Sequence, residues 1–189
     1  MPYVANTALT FAQRQINRYK DGECWTLVED SIVGAGAKSS IGLTPKFGKN
    51  VSYIWGTPVN IVSLRPGDVL QFQSYVWRKT TRVDVSNAEG TRFSEDYFDQ
   101  VRGKAHHSAL VVRVVSAEIV EVIEQNIPPV TGKVQTVELV LTPPAPTEDT
   151  QYVRDDKGRV ISTTITKVTH EVSGTVNCFR PIDTDPTPP

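Results

Sequence analysis

Cys24 follows Gly22-Glu23 and opens a segment in which Cys24, Leu27, Val28, Ser31, Ile32 and Ala35 recur on one helical face, so its thiol is expected in the first turn of a helix. The positive end of the helix dipole there favours the thiolate, the form that attacks carbonyl carbon. Such a nucleophile needs a base. Residues 107–115 and 118–126 read as two strands joined by Ser116-Ala117. Pairing Val115 with Glu118 sets His107 opposite Asn126. Strand alternation then puts His107, Ala109 and Val111 on one face with Val122, Glu124 and Asn126. An imidazole facing an amide, with a carboxylate one diagonal away, is held in one tautomer and orientation for base catalysis. The pattern leaves open whether Asn126 or Glu124 is the third member.

Several neighbours modulate this set. Glu23 opposes a second anion beside it, although adjacent side chains on a helix point apart. Backbone N–H groups at the helix start are expected to receive a developing oxyanion, with Gln13 as an additional donor. Trp25 and Trp55 are candidates to contact substrate; Trp55, with Tyr53, Tyr75 and Trp77, fits core or sheet-face packing equally well. His106 is turned away from the Asn126 face by alternation, Cys178 reads as core packing, and His170 as a solvated loop residue. A zinc site from Cys24, His106, His107 and Glu124 lacks the usual ligand spacings. No metal and no cofactor is expected.

The elements that must position these groups are two helices and a set of strands. The first helix is predicted over residues 8–19, with Leu9, Ala12, Ile16 and Tyr19 at helical spacing; Lys20-Asp21-Gly22 ends it, and Asp21 is the expected N-cap of the second. Residues 34–48 are rich in glycine, serine and lysine. Arg65-Pro66-Gly67 is a turn before a strand over 68–77, and 79–106, polar and mixed in charge, reads as loop with a short helix. Further strands are expected at 134–141, 160–168 and 172–180, with a loop at 143–150 and a hairpin turn at Asp155-Asp156-Lys157-Gly158. The expectation is one α+β domain over 1–182 and a frayed, proline-rich tail over 183–189.

Four short motifs occur in a fixed order: Gly22-Glu23-Cys24-Trp25, then Arg65-Pro66-Gly67-Asp68-Val69-Leu70, then His107-Ser108-Ala109-Leu110-Val111, then Val122-Ile123-Glu124-Gln125-Asn126. Over residues 8–126 the chain resembles the papain-like cysteine amidases and peptidases of the NlpC/P60 and CHAP superfamily. The resemblance implies a papain-like α+β fold in which N-terminal helices carrying the nucleophile pack on an antiparallel sheet. It implies Cys24 as nucleophile, His107 as base, Asn126 or Glu124 as orienter, and peptidoglycan peptides as substrate. The 79–106 stretch and the strands after 134 depart from the family pattern, and no wall-binding module is attached.

Composition narrows the alternatives. With 20 basic against 21 acidic residues and a net charge of -1, nothing favours nucleic acid or an anionic membrane surface as a partner. No apolar run approaches the roughly 20 residues of a membrane span. The N-terminus lacks the basic start and apolar stretch of a secretory signal, so a cytoplasmic protein or one exported by a non-classical route is expected. The two cysteines stand in unlike contexts and do not form a disulfide framework. Two other readings stay open: a cysteine peptidase or deamidase acting on a protein, and an inactive papain-like module that binds a partner. A Cys24 no more reactive than Cys178 would favour the second.

Overall fold

Valine and threonine crowd the chain beyond residue 57, and such side chains fit a pleated surface better than a helix. The computed structural model, which describes residues 2–184 except Ile16, Phe47, Lys49, Asn50, Lys104, Ala105, Pro129 and Val130, follows that preference. Three short helices, α1 (Ala5–Gln13), α2 (Cys24–Gly34) and α3 (Ser40–Leu43), come before the strands β1 (Thr57–Val59), β2 (Val69–Asn87), β3 (Gly90–Arg102), β4 (His107–Val114), β5 (Ile119–Gln125), β6 (Val134–Val140), β7 (Thr147–Arg154) and β8 (Val160–Arg180).

The expected α+β papain-like fold is thereby corrected. The chain is mainly antiparallel sheet, with 50% strand and 15% helix. The physical reason lies in two stretches read as loop. Within 79–106, β2 runs on to Asn87, an Asx turn follows in which the Glu89 N–H donates to Asn87 Oδ1 at 2.9 Å, and β3 returns. Within 143–150, β7 already begins at Thr147. No described residue of 79–101 or 143–173 is fully buried, so these hairpins carry charge and threonine where apolar alternation was sought.

The chain divides into two compact units. One comprises Met1–Tyr75, Val101–Thr142 and Gly174–Pro189, the other Val76–Gln100 and Pro143–Ser173. In the first unit the strand order is β1-β8-β2-β4-β5-β6. Its core joins Ala8, Leu9 and Ala12 of α1 and Leu27, Val28 and Ile32 of α2 to Trp55, Val69, Leu110, Ile123 and Phe179. Burying each large aliphatic side chain contributes roughly 1.5–3 kcal/mol. Asp68 anchors the turn before β2: its carboxylate accepts from Arg180 Nε and Nη2 at 3.0 and 2.9 Å and from the Arg65 N–H at 2.8 Å. Gly67 ahead of it has φ +89°, and a Cβ there would meet the Ala5 Cβ at 2.5 Å.

The first helix is shorter than predicted. It ends at Gln13 because Asn17 and Lys20 adopt left-handed φ of 65° and 45°; Ile16, part of the expected periodicity, lies outside the described residues. Asp21 is not the N-cap of α2. Glu23 is, without a side-chain cap bond, and Asp21 instead accepts from the Glu23 N–H and the Thr26 hydroxyl at 3.1 and 2.9 Å. The start of the expected tail is fastened: Asp183 bridges Ala37 and accepts the Tyr3 N–H at 2.7 Å. Residues 185–189 lie outside the described residues.

In the second unit β3 pairs with β2 and β7 with β8. Among its described residues only Trp77 is buried, stacked on His170 at 5.6 Å and 13° and met edge-on by Phe98. His170, expected in a loop, is a half-buried strand residue. Among the described residues of the whole chain, no helix is long and apolar enough to cross a membrane.

Candidate active site

The β4–β5 hairpin reaches its expected alignment by an unexpected route. Arg113 pairs with Glu121 and Val114 with Val120, one residue out of the predicted register. A bulge at Val112 then restores it, so that Val111 faces Val122 and Ala109 faces Glu124. Extrapolated further, His107 would meet Asn126. β5 stops at Gln125, however, and Asn126 turns out of the strand with φ +74°. Its Nδ2 donates to Glu23 Oε2 at 3.1 Å and its Oδ1 accepts the Gly132 N–H at 3.1 Å.

Glu124 takes the place at His107. His107 Nε2 lies 2.9 Å from Glu124 Oε2, with the two side chains 3% and 0% exposed. A carboxylate only accepts, so Nε2 carries the proton and Nδ1 is the nitrogen left for Cys24. Cys24 lies close enough to the imidazole for each group to shift the other's titration. Cys24 is the first residue of α2 and is half-buried.

Electrostatics follow from this chain of contacts. Burial pushes the Cys24 thiol up, but the hydrogen bond and charge of His107, together with the Ser108 backbone N–H, outweigh it, and the thiol ends below its ordinary value. Glu23 opposes that shift. Burial pulls His107 down, yet its hydrogen bonds to Cys24 and Glu124 carry it up to about 9. For Glu124, burial favours the neutral acid, and His107 and Arg102 together hold it below the usual carboxylate range. These directions favour the charged form of each of the three groups.

Two residues to which the sequence reading gave no role complete the frame. Arg102, at the end of β3, lies against Glu124: Nε donates to Oε2 at 2.9 Å and Nη2 is 2.8 Å from Oε1. Gln125, fully buried, accepts the Tyr19 N–H at 2.8 Å and donates to the carbonyls of Tyr19 and Glu23 at 3.2 and 3.0 Å. The loop before Cys24 is thus tied to the strand that carries Glu124. Arg102 was hidden because its segment read as loop; Gln125 was placed on the far face, and that far-face position is what lets it reach the loop.

A cleft of about 660 Å³ opens over Cys24 and is lined by Asp21, Glu23, Trp25, Tyr53, Gln71 and Ser108 among others. Trp25 faces it, with Nε1 donating to Ser40 Oγ at 3.0 Å. Trp55 does not: it is a core residue whose Nε1 donates to Gln71 Oε1 at 2.9 Å. Gln13 is exposed at the end of α1 and lines no part of the cleft. His106 does line it, outside the Cys24–His107 contact. Cys178 is buried in β8, its thiol pushed up to about 12 by burial and by Asp68.

Among the described residues no group of three His, Cys, Asp or Glu side chains converges as metal ligands do. No family, curated protein or solved structure compared with the chain matches it.

Proposed function

We propose that the protein is a cysteine-dependent hydrolase of amide bonds. The observation that carries this reading is the sequence of neighbours Cys24, His107 and Glu124, buried at its carboxylate end and open to a cleft at its sulfur end. Sγ of the thiolate attacks the amide carbon and forms a tetrahedral intermediate. Backbone N–H groups in the first turn of α2, which have no carbonyl four residues earlier, are the donors for its oxyanion. The imidazolium gives its Nδ1 proton to the leaving nitrogen as the C–N bond breaks, leaving a thioester on Cys24. His107 then takes a proton from water, whose oxygen displaces Sγ and releases the acid. Glu124 keeps Nε2 protonated throughout.

The resemblance of the four ordered motifs to NlpC/P60 and CHAP enzymes supports peptidoglycan peptides as the substrate class. Incubation with soluble peptidoglycan fragments, followed by mass spectrometry, should give amide-cleavage products and, on acid quench, a thioester adduct on the Cys24 peptide. Persistence of cleavage in Cys24→Ala would sink the proposal.

A further inference from the structure

We infer that Arg102 is a positioning residue of this site, whose guanidinium fixes Glu124 in the place from which it holds His107 with Nδ1 on Cys24. The inference rests on the hydrolase reading and adds a fourth member to its relay. Glu124 has two oxygens and no water-facing surface. Oε2 accepts from both His107 Nε2 and Arg102 Nε at 2.9 Å, while Oε1 receives Gln135 Nε2 at 2.9 Å and Arg102 Nη2 at 2.8 Å. Each oxygen accepts two hydrogen bonds, and among the described residues the full positive charge on the carboxylate that is independent of the reaction is Arg102.

Arg102 is itself held. Its side chain is 7% exposed, and Nη1 donates to the Val101 carbonyl at 2.8 Å, so all three guanidinium nitrogens are engaged. Gly103 follows with φ +68°, and a Cβ there would approach the His107 backbone nitrogen to 2.8 Å. The turn from β3 to β4 therefore sets Arg102 and His107 against the same carboxylate. A planar fork does this where an ammonium could not, because it engages both oxygens at fixed angles.

The consequence is a division of labour. An isolated buried carboxylate takes up a proton to escape desolvation. With Arg102 in place Glu124 stays ionised whether His107 is neutral or charged, and so can orient both forms that the reaction cycle requires. Among the described residues, the groups that bear on the relay are Arg102 from β3, His107 from β4 and neutral Gln135 from β6 around Glu124, Tyr75 from β2 near Arg102, and Glu23 and Tyr53 near the Cys24 sulfur.

The test is the pH dependence of iodoacetamide alkylation at Cys24, read by peptide mass spectrometry. It compares the natural protein with Arg102→Met, Arg102→Lys, Glu124→Gln, the double variant Arg102→Met/Glu124→Gln, and His107→Ala. Arg102→Met is expected to move the thiolate limb upward by about one pH unit. Arg102→Lys should move it less, and the double variant no further than Glu124→Gln alone, because both substitutions disable the same carboxylate. A limb unmoved in Arg102→Met and Arg102→Lys while His107→Ala shifts it would make Arg102 a structural residue and overturn the inference. Fully additive shifts in the double variant would overturn it too. If His107→Ala itself left the limb in place, the hydrolase reading would fail first. Should Arg102→Met not fold, Arg102→Lys decides by the same criteria.

Discussion

Tyr19 and Gln125 stand 106 positions apart in the chain and are joined twice, the Tyr19 N–H donating to Gln125 Oε1 and Gln125 Nε2 donating to the Tyr19 carbonyl. A third bond, from the same Nε2 to the Glu23 carbonyl, reaches the residue before the nucleophile. One side-chain amide therefore sets how α2 enters the site. Gln125→Ala should lower stability by about 2 kcal/mol in urea unfolding, since backbone groups built around the amide lose their partner. It should also lower kcat on the order of tenfold through misplacement of the sulfur.

His107 and Glu23 act on Cys24 with opposite signs. In His107→Ala the burial that raises the thiol remains while its stabilising partner is gone, so the alkylation limb should rise beyond that of an ordinary thiol. In Glu23→Gln the opposing carboxylate charge is removed and the limb should fall below that of the natural protein. Cys178, buried and pushed up to about 12, should stay unlabelled across the same range and serves as the internal reference.

Glu124→Gln and Asn126→Ala should separate cleanly in steady-state kinetics. A glutamine amide donates to Nε2 and so forces the proton onto Nδ1, where it blocks acceptance of the thiol proton; kcat should fall by about 10²- to 10⁴-fold. Asn126 contacts Glu23 and Gly132 instead of the imidazole. Asn126→Ala should leave kcat within a few-fold and cost about 1 kcal/mol of stability.

Acid should weaken the fold partly through Glu124. Its folded pKa lies below the ordinary carboxylate value of 4.5, so the unfolded chain binds the extra proton first and stability increases with pH through this window. The contribution is fully present above about 4.5 and is lost as pH falls through the folded value. The melting temperature of the natural protein should drop over that interval. The Glu124→Gln curve should start lower, with Arg102 left unpaired, and should be flatter there.

The candidate site was more legible than the architecture. Cys24 at a helix start and Glu124 on the face of Ala109 follow from periodicity alone, and that register survives because the bulge at Val112 offsets a longer turn. Asn126 fails the same extrapolation: a strand end with positive φ leaves no trace in alternation. Arg102 and the hairpin it closes were illegible for a different reason. A hairpin that buries neither face needs no apolar side, so Asp99 and Glu148, which pair with Arg78 and Lys167, fall in stretches that read as loop. Gln71, which accepts from Trp55 and Ser108 and donates to the His107 carbonyl, shows how a buried polar residue in a strand can carry positional meaning that composition treats as neutral.

Asp68 and Arg180, paired at the turn before β2, lie 112 positions apart. A link of that span closes a long loop in the first unit, and its entropic cost falls before any contact across it rewards the chain. The last turn of β8 should therefore dock late in folding, after α1, α2 and the β4–β5 hairpin have found one another. A nascent chain would carry an assembled Cys24, His107 and Glu124 on an incomplete sheet, its β2 edge awaiting the C-terminal strand.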